Sequence, residues 1–213
     1  MRSPTWWRLR AALPLALLNN LLTASPSVAG PPTNRTIDDE KGDSVSGLKP
    51  EYSPPGSWSQ GSTCTGCFVH LDPSQVFDGS WHDSTFHPNT QAPPTITLHF
   101  NGTAVYVYNA LANSVPFADT LTNLTLTLDG ATVGTFIYVP NSSTLFDYNI
   151  LVFKDQSLKN MEHELVIQAT GDTRAALTLF DYVVYTFVDD SLPTSSGLTS
   201  APATAGEVSI AST

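Results

Sequence analysis

From Thr95 to Phe187 apolar residues recur at every second position, in short runs separated by turn-forming residues. A two-residue period is the pleat of a β-strand with one face buried, and a chain patterned this way cannot settle as helix. Ile96, Leu98 and Phe100 oppose Thr97, His99 and Asn101, and Val105 and Val107 oppose Tyr106 and Tyr108. Leu124, Leu126 and Leu128 oppose Asn123, Thr125 and Thr127; Asp129-Gly130 then turns the chain tightly into 132–139. Three runs follow, 149–153, 164–169 and 177–187, and the last is apolar in both alternating sets. Leu177, Leu179, Val183, Tyr185 and Phe187 form one set; Phe180, Tyr182 and Val184 form the other. A strand apolar on both sides is covered on both sides, so this run is expected at the centre of a sheet. With an earlier short run near Thr36-Ile37, the pattern predicts about eight to ten strands and no amphipathic helix. The fold class expected is all-β: an antiparallel, jelly-roll β-sandwich in a single domain.

The ends of the chain read differently. Arg2, Arg8 and Arg10 precede an apolar stretch, 11–22, too short to span a bilayer, and Ser27-Val28-Ala29 offers small residues for cleavage. Residues 1–29 are thus expected to be a secretory leader, 30–55 a lead-in, 56–188 the sandwich, and 189–213 a Ser/Thr/Ala-rich disordered tail. The lead-in contributes a first strand near 34–38 and is expected to be tied down by Tyr52 and Trp58. Without the leader's three arginines the charge balance is 6 − 19 = −13. So acidic a chain repels phosphate backbones and anionic lipid, which excludes nucleic acid as a partner. Secretion agrees with four Asn-x-Ser/Thr sequons, at Asn34, Asn101, Asn123 and Asn141. Asn101-Gly102 also reads as a hairpin turn. Cys64 and Cys67, the only cysteines, are expected to pair as a structural staple, since the stretch lacks the βαβ setting of a redox motif and no second pair completes a zinc site.

The runs Phe100–Tyr108, Leu126–Gly130, Glu162–Ile167 and Leu179–Tyr185 resemble strands of the galactose-binding-domain-like jelly roll. More narrowly, an Asp-Asp start, a Tyr/Trp lead-in, a Cys pair and Phe77-Asp78-Gly79-Ser80-Trp81-His82-Asp83 resemble secreted or membrane-tethered surface proteins of basidiomycete fungi. The resemblance spans about 36–188. It implies an extracellular or cell-surface location, and membrane attachment only through a distal anchor past the tail, as many members of that group have. Because this fold hosts many activities, function has to come from a site.

No reactive constellation assembles in the sequence. Gly42-Asp43-Ser44 looks like the first block of a Gly-Asp-Ser acyl hydrolase, but no histidine has an Asp three positions before it. Glu162 and Glu164 share a strand face as glycosidase carboxylates can, yet sit beside a polar turn where solvated acids are common. His70, His87, His99 and His163 lack metal-ligand spacing. The stretch 77–85 is the candidate site. Trp81 offers an aromatic face for a sugar ring, and Asp78, His82 and Asp83 offer groups to clamp hydroxyls. The alternative is that Trp81 caps the core while His82 and Asp83 bond locally. Asp78 with loop carbonyls is a candidate Ca²⁺ ligand; otherwise no metal or cofactor is expected. The reading is a non-catalytic binding domain directed at glycans or cell-wall polysaccharide. The alternatives are a cell-surface interaction module without a small ligand and, more distantly, an extracellular hydrolase.

Overall fold

A computed structural model describes residues 30–89, 92–171 and 173–191. The expected leader, and the expected tail from 192 onward, lie outside these residues. Among these described residues twelve strands form two antiparallel sheets: β1 (Thr33–Asp38), β2 (Gly42–Asp43), β3 (Glu51–Ser53), β4 (Ser59–Gln60), β5 (His82–Phe86), β6 (Thr95–Gly102), β7 (Ala104–Leu111), β8 (Thr122–Leu128), β9 (Ala131–Tyr138), β10 (Asp147–Asp155), β11 (Met161–Ala169) and β12 (Ala176–Phe187). One sheet runs β10-β7-β12-β1-β2, with β5 joined to β12 and to β4; the other runs β3-β6-β11-β8-β9. The sandwich core lies between them. Ile96, Leu98, Leu124, Leu126, Leu165 and Ile167 of the second sheet pack against Ile37, Val105, Val107, Phe180 and Val183 of the first. Each comes from an apolar position of the sequence alternation.

β12 is the central strand the sequence predicts. Its first half lies between β5 and β7, and its second half between β1 and β7. The simple alternation nevertheless fails inside it. The register against β7 shifts between Phe180 and Tyr182, so Asp181 is the extra residue of a bulge. Before the bulge Leu177 and Leu179 face outward; after it Val183 and Tyr185 join Phe180 in the sandwich core. Leu177 and Leu179 therefore do not share a face with Val183 and Tyr185, because the inserted residue reverses the parity.

The outward set is covered by the segment between β4 and β5. Val69, Leu71, Val76 and Trp81 close over Ala110, Ala112, Leu177 and Leu179 in a second apolar cluster. That cover explains why β12 is apolar on both faces. Three local expectations change as well. Residues 77–85 are not one loop: His82–Phe86 is a strand, invisible by propensity because His, Asp, Ser and Thr are not a typical strand run, and supplied with partners by β12. Asn101-Gly102 is not a hairpin turn, since β6 and β7 belong to different sheets. Gly102 instead permits a close crossing, because a Cβ there would stand 2.4 Å from the Thr186 carbonyl oxygen. Asp129-Gly130 does close the β8–β9 hairpin, with φ of 50° and 80°, as a type I′ turn requires.

Candidate functional site: an aromatic cleft on the outer face

Two phenylalanines stand in solvent at one end of the outer cluster. Phe117 is 89% exposed and Phe68 is 61% exposed. The chemistry of the turn puts Phe117 there. The Ala118 N–H donates to the Val115 carbonyl at 3.3 Å, so Val115–Ala118 is a β-turn with Pro116 and Phe117 at its centre. Pro116 presets the first central residue, and the second adopts φ of 65°, the left-handed position that normally takes Gly or Asn. A bulky side chain held there is strained by roughly 1–3 kcal/mol, a cost tolerated chiefly where the residue has a task. Phe68 directly follows the Cys64–Cys67 disulfide, which fixes the loop from which its ring projects. The two rings stand 6.1 Å apart between centroids, inclined at 44°.

Beside the two rings, and lined in part by them, lies a cleft of about 270 Å³, small among ligand sites. Val69 and Leu177 give it an apolar floor; Asp83, Thr85 and His87 line one side, and Asp119 another. Asp83 and Thr85 of β5 are two apart and leave one face together, and His87 follows directly after the strand's end. Asp83 Oδ2 is buried and has no hydrogen-bond partner among the described residues. Burial pushes the Asp83 carboxyl up to about 6, against the opposing pull of His82 and His70.

Of the residues expected from sequence, only Asp83 reaches this cleft. Trp81 is 2% exposed and cannot serve as a platform. Its ring lies against Gly61, where a Cβ would fall 1.9 Å from Nε1, and it seals the outer cluster. His82 points the opposite way from Asp83, as neighbours on a strand must. It is buried, stacked on Tyr52 at 4.0 Å, with Nδ1 2.7 Å from Asp39 Oδ2. Asp78 is on the surface and pairs with Lys41 at 3.2 Å. The clamp expected from Asp78, Trp81, His82 and Asp83 is thus dispersed, Asp78 to the surface before β5 and the other three by the alternation that runs into it.

A second polar group lies at the bulge of β12. Asp38, Asp39 and Asp181 are buried together near the bulge. Asp39 takes the Ser80 hydroxyl at 2.6 Å, Asp181 Oδ1 takes the Phe77 N–H at 2.9 Å, and Asp38 takes the Glu40 and Lys41 N–H groups. Asp38 Oδ2 and Asp181 Oδ2 have no hydrogen-bond partner among the described residues. Burial pushes Asp181 up to about 7, the charges of Asp39 and Asp38 adding to the effect, and raises Asp38 as well. Among the described residues no set of three or more His, Cys, Asp or Glu is arranged to hold a metal ion. The Asp78 carboxylate expected to bind Ca²⁺ is engaged with Lys41.

The other sequence candidates have structural partners. Asp43 accepts from the Val45 and Ser46 N–H groups and from the Tyr185 hydroxyl at 2.6 Å, which makes Gly42-Asp43-Ser44 a capped turn. Glu162 and Glu164 are exposed, and His163 is buried between Asp129 and the Lys159 carbonyl. Of the sequon asparagines, Asn34, Asn101 and Asn141 are exposed and Asn123 is half-buried.

No family model matches this sequence, and no curated protein matches it. Among solved structures it is similar to a family 35 carbohydrate-binding module from Clostridium thermocellum, with a TM-score of 0.41 and 8% identity over 73% of this chain and 98% of that one. It is similar to an exo-β-1,3-galactanase from Phanerochaete chrysosporium solved with galactose, with a TM-score of 0.39 and 18% identity over 72% of this chain. The matched region is 29% of the galactanase. A CBM36-1 domain of a multidomain xylanase from the hindgut metagenome of Trinervitermes trinervoides gives a TM-score of 0.35 and 15% identity, over 71% of this chain and 95% of that one. Likenesses this distant say nothing of what this chain binds.

Proposed function

We propose that this chain is a non-catalytic, extracellular carbohydrate-binding domain whose binding site is the Phe68–Phe117 cleft. The observation that carries the reading is Phe117: an almost fully exposed ring, in a backbone conformation that disfavours it, facing a second exposed ring. Sugar rings present C–H faces to aromatic side chains and hydroxyls to a few fixed polar groups. Asp83, Thr85, His87 and Asp119 are such groups. The test is binding to a panel of soluble oligosaccharides and insoluble cell-wall polysaccharides by wild type, Phe117→Ala and Phe68→Ala. Binding lost in both variants, with unchanged melting temperature, supports the reading; binding unaffected by both, or absent throughout the panel, removes it.

A protein-interaction role has its own observation. Val133, Ile137, Val139, Leu145 and Leu151 are exposed on and beside β9 and β10, the end strands of the two sheets. Sedimentation of the chain alone tests whether copies pair through this edge.

A further inference from the structure

The cleft's electrostatics narrow the ligand class. Among its lining residues are two carboxylates, Asp83 and Asp119, one histidine, His87, and no lysine or arginine. Arg174 lines a separate hollow that shares Ala118 and Asp119 with the cleft. Asp83 is partly buried, its Oδ2 has no donor, and it sits in the wall between apolar floor and aromatic rim. A neutral hydroxyl can bond the Asp83 carboxylate, but a charged donor bonds a carboxylate roughly twice as strongly, and no lysine or arginine among the cleft's lining residues supplies one. A uronic acid or sulfated sugar would place a second anion against two carboxylates, a mismatch that specificity exploits.

Resting on the carbohydrate-binding reading above, we propose that the cleft selects glycan units carrying a free amine, with the ammonium on Asp83 and the C–H face of the ring on Phe117. Asp119 lies at the rim and adds to the attraction as the ligand approaches. Acetylation of the amine removes the charge and adds bulk to a cleft of about 270 Å³. With its carboxyl pushed up to about 6 by burial, Asp83 is ionised at neutral pH and loses its charge on mild acidification, so the preference weakens below that value. His82, His70, His87 and Asp119 are the other titratable groups around it.

The experiment is a titration at pH 7 with three hexamers sharing one β-1,4 linkage: of glucosamine, of N-acetylglucosamine and of glucose. The expected result is an affinity for the glucosamine hexamer at least about tenfold above either of the others, decreasing with added salt. Asp83→Asn is expected to bring the glucosamine-to-glucose ratio close to one, and Phe117→Ala to abolish binding of all three. Equal or better binding of the neutral hexamers overturns the amine preference and leaves the carbohydrate reading standing. No binding of any hexamer, together with no binding to the wider panel, overturns both. Glucosamine hexamer still bound by Phe117→Ala shows mere attraction to an acidic surface and overturns the placement in the cleft. A ratio unchanged in Asp83→Asn overturns the role of that carboxylate.

Discussion

Placing Trp81 in the core has a consequence at Gly61. A Cβ built on Gly61 stands 1.9 Å from Trp81 Nε1, 2.1 Å from Cε2 and 2.6 Å from Cδ1. Ordinary contact begins near 3.4 Å, so Gly61→Ala must separate ring and backbone by about 1.5 Å. The indole has nowhere to go, being 2% exposed and enclosed by Val69, Leu71, Val76, Ala110 and Leu179. If the backbone moves instead, it strains the 2.8 Å hydrogen bond from the Gly61 N–H to the Trp81 carbonyl and the adjoining β4–β5 pairing. Overpacking of this kind costs about 1–3 kcal/mol, and a weakened hydrogen bond adds roughly 1 kcal/mol. The expected loss is about 2–4 kcal/mol, or on the order of 5–15 °C in melting temperature for a domain of this size. Urea unfolding followed by fluorescence measures it. Gly66→Ala is the control, since a Cβ at Gly66 meets nothing within 4 Å. A Gly61→Ala variant within about 0.5 kcal/mol of wild type would mean that Trp81 is free to swing outward, and its expected role as a sugar platform would be open again.

Further outcomes follow from the same geometry. Phe117→Gly relieves the left-handed strain and should stabilise the domain by about 1 kcal/mol while abolishing sugar binding; a loss of stability would refute the strain argument. Asp181 binds its proton more tightly folded than unfolded, its pKa rising from 3.8 to about 7, so its contribution to stability falls as pH rises between those values. Asp181→Asn keeps an oxygen for the Phe77 N–H and removes the charge, so it should gain on wild type from pH 5 to pH 8, by at most a few kcal/mol. An Asp181→Asn variant less stable than wild type at pH 8 would instead mean that a cation neutralises these carboxylates in solution. For His163, burial lowers the pKa but the hydrogen bonds to Asp129 and the Lys159 carbonyl outweigh it, so the net shift is upward. The stabilisation this pair gives is complete below 6.5 and lost as pH rises through the folded value; NMR titration should show Asp129→Asn bringing His163 down.

The alternation of Ile96–Phe100, Leu124–Leu128 and Leu165–Ile167 is enough to read the second sheet, because each of those strands is buried on one face and keeps strict parity. Parity fails wherever a residue is inserted. The bulge at Asp181 sends Leu179 and Val183 to opposite sides, and no local pattern in Leu179-Phe180-Asp181-Tyr182-Val183 announces it. β5 has no strand signature of its own in sequence, because its strand character comes from β12, almost a hundred positions away. The same strand explains what happened to the expected site: a pleat sends Trp81 and Asp83 one way and His82 the other, so adjacency in sequence was no guide to adjacency in a pocket. Trp81 is buried as part of the cover segment, and Asp83 stays near the surface. Phe68 and Phe117 come from two loops that only the fold brings together. One signal for Phe117 was nonetheless present: Pro116-Phe117 puts a bulky ring after a proline, where a type II turn asks for glycine.

The central claim is that sugar meets this chain at Phe68 and Phe117 and not at Trp81. Aromatic ring resonances followed by two-dimensional NMR during titration with bound oligosaccharide test it directly. The account predicts saturable shifts of the Phe68 and Phe117 ring signals, with the Trp81 indole signal unmoved. Saturable movement of Trp81 with both phenylalanines still would contradict it.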